Sequence, residues 1–178
     1  MIVRVMLLLI SLAPAAAYAS NTPAEHAVKA AIAVKITKFV TWPEGALASD
    51  GDFIRFCVVE DSHIVEAFSE LRKVPIHGRL LKLVVLADPE ATAANCDVLY
   101  LENGSIRRTD IWLQHVADKP ILTIGEAGTL GADQSIVNLS LRRKKVRFAI
   151  NLEASEKSGL TVGAQLLHLA AVTSRRGN

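Results

Sequence analysis

The residues of this chain that could do chemistry are its histidines, its cysteines and one glycine-rich segment. The histidines are His26, His63, His77, His115 and His168. No two of them have the i, i+4 spacing of a helical metal site, and no cysteine lies near one in the sequence. We therefore predict solvated or singly hydrogen-bonded histidines, with no metal and no other cofactor.

A serine, a histidine and an acid stand together at Asp61, Ser62 and His63. Consecutive side chains point apart, and the chain has no G-x-S-x-G motif, so these residues do not form a catalytic triad. Asp61 and Ser62 are better explained as helix caps. The glycines of segment 125–131 fit neither a dinucleotide fingerprint nor a phosphate-binding loop. We predict no catalytic residue and no enzymatic activity.

The N-terminus has the organisation of a secretory signal peptide. Arg4 precedes the apolar run Val5–Leu12, and small residues lead to Ala17-Tyr18-Ala19. The apolar run is too short to span a bilayer. We predict a signal peptide over residues 1–19, cleavage after Ala19, and one domain over residues 20–178 in a periplasm.

Charge and hydropathy exclude two further classes of protein. The formal net charge of the 178 residues is only +2, and cleavage would remove Arg4. A nearly neutral chain gives no electrostatic reason to bind nucleic acid. No second apolar stretch approaches membrane-spanning length, so the mature chain is predicted to have no transmembrane segment.

The cysteines are Cys57, inside an apolar strand-like run, and Cys96, just before another. In an oxidising compartment two cysteines commonly form a disulfide, although two buried thiols that never meet remain the alternative. The absence of a C-x-x-C motif argues against redox catalysis.

These residues must be positioned by a scaffold, and its first element is the helix indicated by the apolar pattern of residues 27–43. Thr22 and Pro23 are the expected N-cap and first helical residue, and the helix is expected to end at Trp42, before Pro43. Lys29, Lys35 and Lys38 fall off the apolar face and are expected to reach water. That face comprises Val28, Ala31, Ile32, Ile36, Phe39 and Val40.

Strands and helices alternate along the rest of the chain. The predicted strands are 52–60, 80–86, 97–101, 119–124, 135–141 and 145–152. A helical pattern lies between two of these strands at 105–117, and another follows the last strand at 163–172. The alternation predicts a single α/β domain, with a largely parallel sheet, helices on both faces and a C-terminal antiparallel hairpin.

Seven stretches match a known family in its order. They are Lys38–Pro43 (KFVTWP), Phe56–Val59 (FCVV), Val74–Arg79 (VPIHGR), Cys96–Tyr100 (CDVLY), Ile121–Ile124 (ILTI), Val146–Leu152 (VRFAINL), and Gly159-Leu160 with Gln165–Ala170 (QLLHLA). On these motifs the chain resembles the YfiR-like family of small periplasmic proteins.

The resemblance implies a compact α/β domain without catalytic activity. It implies a negative regulator that binds the periplasmic part of an inner-membrane diguanylate cyclase and restrains cyclic-di-GMP synthesis. Members also occur beside sensor kinases, and some are homodimers. Cys57 and Cys96 fall where one family disulfide would lie.

The chain departs from the family pattern near the hairpin. Gln134-Ser135 replaces a usual glycine pair, Ala149 a frequent glutamate, and Leu130 a frequent aromatic residue in the preceding loop. That loop and the basic hairpin tip are candidate partner contacts, and Trp42 is either a core residue or a surface anchor. The candidate contacts are Trp42, Leu130, Arg142 and Arg143.

Two hypotheses follow. The first is a periplasmic regulator of a diguanylate cyclase. The second is a periplasmic small-ligand sensor, or an adaptor for a sensor kinase, with a pocket at the carboxyl ends of the parallel strands near Glu60 and Asp61.

Overall fold

The computed structural model describes residues 22–47, 51–60, 62–103, 109–127, 134–142, 145–170 and 172–174. The helices are α1 (Pro23–Thr37), α2 (Val65–Glu70), α3 (Thr92–Asn95), α4 (Thr109–Gln114), α5 (Leu152–Lys157) and α6 (Ala164–Leu169). The strands are β1 (Val40–Thr41), β2 (Phe53–Val59), β3 (Leu80–Leu86), β4 (Val98–Leu101), β5 (Leu122–Glu126), β6 (Val137–Arg142), β7 (Lys145–Asn151), β8 (Thr161–Val162) and β9 (Val172–Ser174).

Seven strands form the central sheet, in the order β3-β2-β4-β5-β6-β7-β9. The neighbours from β3 to β6 are parallel, β6 and β7 are antiparallel, and β7 and β9 are parallel. Strands β1 and β8 pair separately, and antiparallel. The predicted α/β class and the antiparallel hairpin are confirmed.

Both faces of the sheet are covered by helices. Successive residues of β4 alternate between two apolar clusters, with Val98 and Tyr100 in one and Leu99 and Leu101 in the other. The first cluster packs under α1 and α2, and the second packs under α4. This two-sided burial explains why β4 is apolar at every position.

The start of α1 is as predicted, but its end is not. Thr22 is the N-cap, its Oγ1 accepts from the Glu25 N–H, and Pro23 follows. The helix ends at Thr37, five residues before the expected Trp42, because Val40 and Thr41 instead pair with β8. Helical periodicity cannot reveal a pairing made with residues more than 100 positions away.

The predicted apolar face of α1 is also partly wrong. Lys29, expected to reach water, is only 4% exposed, whereas Val28 is 50% exposed and Ala31 is exposed as well. Ala30, Ala33 and Val34 supply the apolar contacts instead. Lys29 is buried because two carboxylates meet its ammonium group, as described below.

Several shorter elements differ from their predicted form. The last helix ends at Leu169, and residues 172–174 form β9 rather than helix. The predicted helix 105–117 is described only from Thr109, where α4 begins. Ser62 does not cap α2, whose N-cap is Ile64 without a side-chain hydrogen bond; the predicted cap Asp61 lies outside the described residues.

Cys57 and Cys96 are joined by a disulfide, with Cα atoms 5.6 Å apart. The bond ties the middle of β2 to the residue two positions before β4. Beside it, Asp97 accepts from the Arg55 backbone N–H at 2.7 Å and from the Arg55 guanidinium at 2.6 and 3.1 Å. The connection between these neighbouring strands is thus both covalent and ionic.

Candidate functional site

The carboxyl edge of the parallel strands is where open α/β sheets place their ligands, and it is the first site to consider. Glu126 is the last residue of β5, and Glu102 directly follows β4. The exposed fractions are 2% for Glu126 and 1% for Glu102. Two buried carboxylates at this edge require compensating partners, because an isolated buried charge is unstable.

Lys29 of α1 supplies the partner of Glu126. Its Nζ lies 2.7 Å from Glu126 Oε2 and 2.6 Å from Glu25 Oε1. The hydroxyl of Tyr100 donates to the other oxygen of Glu126 at 2.6 Å. The first turns of α1 are therefore fastened to the ends of β4 and β5 by charge-assisted hydrogen bonds.

The same contacts control proton affinity. Burial lowers the pKa of Lys29, but the hydrogen bonds to Glu126 and Glu25 and their negative charges outweigh burial, so that its pKa lies above the usual 10.5. Burial next to the Glu126 carboxylate raises the pKa of Tyr100 well above 10.0. Both groups keep their protons throughout the neutral range.

Glu102 forms a second cluster with the loop after β2. Its Oε2 accepts from the Ser62 hydroxyl and the His63 backbone N–H, both at 2.7 Å. His26 Nε2 lies 3.2 Å from Glu102 Oε1, and the His26 and His63 rings stack with centroids 6.2 Å apart. The Ser62 hydroxyl and the His63 backbone N–H thus hold a buried carboxylate in place.

The carboxyl edge is consequently occupied by the chain's own side chains. Lys29 and His26 of α1 contact Glu126 and Glu102, respectively. These contacts occupy the edge at which a ligand of an open α/β sheet would otherwise bind. Of the acid pair near which a ligand pocket was predicted, Glu60 is exposed and Asp61 lies outside the described residues. The geometry is that of a closed, internally paired edge.

A cavity of about 320 Å³ lies at the opposite end of α1. Its walls include Trp42, Pro43, Leu47, His77 and Arg79. Trp42 is 8% exposed, and no acceptor among the described residues meets its indole N–H. The His77 ring lies edge-on to the Trp42 indole, and its Nε2–H donates to Val40 O at 2.9 Å. This cavity has an apolar wall and one unsatisfied donor.

A second cleft of about 380 Å³ lies between the end of α4 and α5. Its apolar lining includes Leu113, Val116 and Ile136. The polar lining includes Glu153 and Lys157, which pair with each other at 2.9 Å on the surface of α5. This mixture of apolar and charged side chains does not indicate one chemical class of ligand.

The predicted partner contacts are not brought together by the described structure. Trp42 is buried, with its indole on a cavity wall rather than on the open surface. Arg142 ends β6, and only its backbone is described. Leu130 and Arg143 lie outside the described residues. His26 and His63 meet beside Glu102, but the described part of the chain contains no group of three or more side chains placed to hold a metal ion.

The sequence reasoning missed Glu102, Glu126 and Lys29. One signal was present: each glutamate ends an apolar strand pattern, at the edge where parallel sheets collect polar groups. A second was that Lys29 follows Glu25 by one helical turn. Neither signal reveals that one helix covers both strand ends.

Within the described residues, none of the helices has the length and apolar character needed to cross a membrane. The fold and the site define a single α/β domain with a disulfide and an internally paired carboxyl edge. The YfiR/HmsC-like family (DUF4154) matches residues 26–171, which is most of the chain. The protein belongs to this family, whose members are periplasmic regulators of signalling rather than catalysts.

Two solved structures share the fold at low identity. A conserved domain protein from Vibrio cholerae superposes with a TM-score of 0.51 at 14% identity, over 84% of this chain and 60% of that one. An ABC domain from Streptococcus pneumoniae, in complex with L-Trp, superposes with a TM-score of 0.53 at 12% identity, over 79% of this chain and 60% of that one. The chain thus spans three fifths of each structure, and the likeness concerns the fold alone.

Proposed function

We propose that this chain is exported to the periplasm and there restrains an inner-membrane signalling enzyme, a diguanylate cyclase, by binding its periplasmic domain. The observation that carries the proposal is the family match over residues 26–171. The closed carboxyl edge supports it, because Lys29 and His26 occupy the place where a small substrate would bind in many α/β enzymes. Its effect then comes from contact with another protein.

Restraint of a cyclase requires only differential affinity. A protein that binds the inactive conformation of the cyclase more tightly than the active one shifts the population toward the inactive state. A preference of about a hundredfold corresponds to about 2.7 kcal/mol. No covalent chemistry is needed.

Deletion of the gene tests the proposal directly. Cellular cyclic-di-GMP should rise in the deletion strain and return to the parental level when the full chain is expressed. A chain without residues 1–19 provides the matched control, since it should accumulate in the cytosol and fail to restore the level. An unchanged level in the deletion strain would remove the cyclase as the target.

Export is part of the same proposal. Cleavage after Ala19 would give a mature chain that begins at Ser20. Mass determination of the chain purified from a periplasmic extract tests this, and an intact N-terminus on that chain would contradict it.

A small-ligand sensor, or an adaptor for a sensor kinase, is the second candidate. It is favoured by the cavity beside Trp42, where a buried indole N–H lacks an acceptor among the described residues. A thermal-shift screen of the purified chain should then find a compound that raises Tm without any protein present. Amino acids are the first compounds to test, because the similar fold from Streptococcus pneumoniae holds L-Trp. A Trp42→Phe variant should lose the shift, since phenylalanine lacks the N–H donor.

The partner can be identified by co-purification. Periplasmic domains of the candidate cyclase and of neighbouring sensor kinases would be mixed separately with the mature chain. Selective retention of the cyclase domain supports the first proposal, and selective retention of a kinase domain supports the adaptor. The proposed partners also include a second copy of this chain, as a homodimer.

A further inference from the structure

The cavity beside Trp42 contains a hydrogen-bond donor that the chain itself does not use. Trp42 is only 8% exposed, and its indole N–H meets no acceptor among the described residues. Buried N–H groups are nearly always hydrogen-bonded, because an unsatisfied donor loses its bonds to water and gains nothing in return. A ligand that brings an acceptor into the cavity would satisfy this donor.

A tight turn supplies two further polar side chains of the cavity wall, His77 and Arg79. Ile76 and Arg79 exchange backbone hydrogen bonds of 2.8 and 2.9 Å. The two residues between them have positive φ, 50° at His77 and 78° at Gly78, which is the geometry of a type I′ turn. A residue other than glycine is uncommon in this conformation, and such backbone positions are concentrated at binding sites.

The ring of His77 occupies the carbonyl groups at the end of α1. Its Nε2–H donates to Val40 O at 2.9 Å and lies 3.3 Å from Thr37 O. Carbonyl oxygens at the C-terminus of a helix carry partial negative charge and would attract a cation. Because the histidine N–H already meets these oxygens, they do not favour a cation in the cavity.

The charged side chain in the cavity wall is a cation. Arg79 contributes a guanidinium group, which keeps its positive charge at every physiological pH. Its Nη1 donates to Phe53 O at 3.4 Å, a contact that holds the side chain against the start of β2. None of the described residues that line the cavity is an aspartate or a glutamate. A carboxylate in the cavity would therefore meet a positive charge and an N–H donor, and no lining acid would repel it.

The rest of the wall is apolar, and the space is small. Val40, Pro43 and Leu47 line it together with the Trp42 indole. The volume of about 320 Å³ is near the lower end of the range of about 300–1,000 Å³ found for small-molecule sites. Such a wall suits a compact apolar group.

We propose that this cavity binds a small monocarboxylate with an apolar body and no amino group, such as an arylacetate. The carboxylate accepts from the Trp42 indole N–H and pairs with the Arg79 guanidinium. The apolar body packs against Val40, Pro43 and Leu47. An amino acid binds more weakly, because the described lining offers no carboxylate to its ammonium group. This inference rests on the second candidate function, the small-ligand sensor, and names its class of ligand.

NMR of the indole N–H groups tests the proposal. The chain has two tryptophans, Trp42 and Trp112, and the Trp42→Phe variant identifies the Trp42 signal by its loss. Titration with phenylacetate should shift the Trp42 signal and leave the Trp112 signal in place. Phenylacetamide, phenylalanine and phenethylamine lack the net negative charge. They should bind at least about tenfold more weakly, the loss expected when a hydrogen bond to a charged group is replaced.

Arg79→Gln tests the contribution of the cation. Binding of phenylacetate should weaken by about tenfold or more, whereas binding of the neutral phenylacetamide should change little. Arg72→Gln is the matched control, because Arg72 is exposed and its guanidinium donates to Ser69 away from the cavity. This control should bind phenylacetate as the wild type does. If Arg79→Gln fails to fold, the comparison of the four compounds on the wild-type chain decides the question.

Two results would overturn the proposal. Equal or tighter binding of phenethylamine or phenylacetamide would show that the class of ligand is wrong, while a sensor with another ligand would remain. A Trp42 signal that phenylacetate does not shift at any concentration would show that the cavity is not a carboxylate site, and the thermal-shift screen would then decide on the sensor. Neither result bears on the cyclase, which the deletion strain tests separately.

Discussion

At the scale of single residues, the most informative position is Lys29. A helical-face argument places it in water, yet its ammonium group is buried between Glu25 and Glu126. The apolar stem of a lysine can pass along a helix surface while its head reaches a carboxylate. An argument from hydrophobic periodicity places every lysine on the solvent side, because lysine is a charged residue. It gives the wrong burial where another element supplies a buried carboxylate as the partner.

Replacement of Lys29 by methionine should be strongly destabilising. It would leave two carboxylates without their cation, one of them buried at the strand end, and loss of one member of a buried pair costs about 3–5 kcal/mol. Urea unfolding measures the difference in the free energy of unfolding. Lys35→Met on the exposed side of the same helix is the control, with an expected change within about 0.5 kcal/mol. Equal losses in the two variants would show that the Lys29 ion pairs contribute nothing specific.

At the scale of elements, the strands were better predicted than the helix ends. The parallel core strands are apolar throughout because both faces are covered, and a continuous apolar run bounded by polar residues marks them well. The ends of α1 and α6 depend instead on β1 pairing with β8 and on β9 pairing with β7. Such long-range pairings override local helical periodicity.

The disulfide is an element-scale constraint that joins β2 to the start of β4. The two cysteines are 39 positions apart, and closing a loop of that length contributes about 4 kcal/mol in the chain-entropy model. Cys96→Ala should therefore lower the midpoint of unfolding under oxidising conditions. The wild-type midpoint should be higher under oxidising than under reducing conditions, and the variant should lack that difference. If the variant loses the same amount in both conditions, relative to wild type, the cysteines contribute packing only.

At the scale of the whole molecule, stability should decline in alkali. Lys29 has a raised pKa in the folded state, so its stabilisation is complete below 10.5 and is lost as pH rises through the folded value. Tyr100 acts in the same direction, because the unfolded chain loses that proton near 10.0 while the folded chain retains it. The free energy of unfolding should be nearly constant up to about pH 9 and then fall.

This decline can be followed at one residue. The chain has two tyrosines, Tyr18 and Tyr100, and cleavage after Ala19 would leave Tyr100 alone. Ultraviolet absorbance of tyrosinate in the processed chain should therefore rise only when the protein unfolds. In Tyr100→Phe the free energy of unfolding should fall less steeply with pH. Ionisation of Tyr100 near its ordinary pKa, in a chain that is still folded, would contradict its burial against Glu126.

The sequence by itself determined the α/β class, the parallel core, the hairpin, the start of α1 and the family, because these depend on local patterns and on motifs that are read in order. Tertiary structure alone decided that Lys29 and His26 close the carboxyl edge, that Trp42 lines a cavity, and that β3, among the described residues, pairs with β2 alone. Each of these facts depends on which elements become neighbours. Which elements become adjacent depends on contacts between residues far apart in the chain. The hydrophobic periodicity of one element cannot predict those contacts.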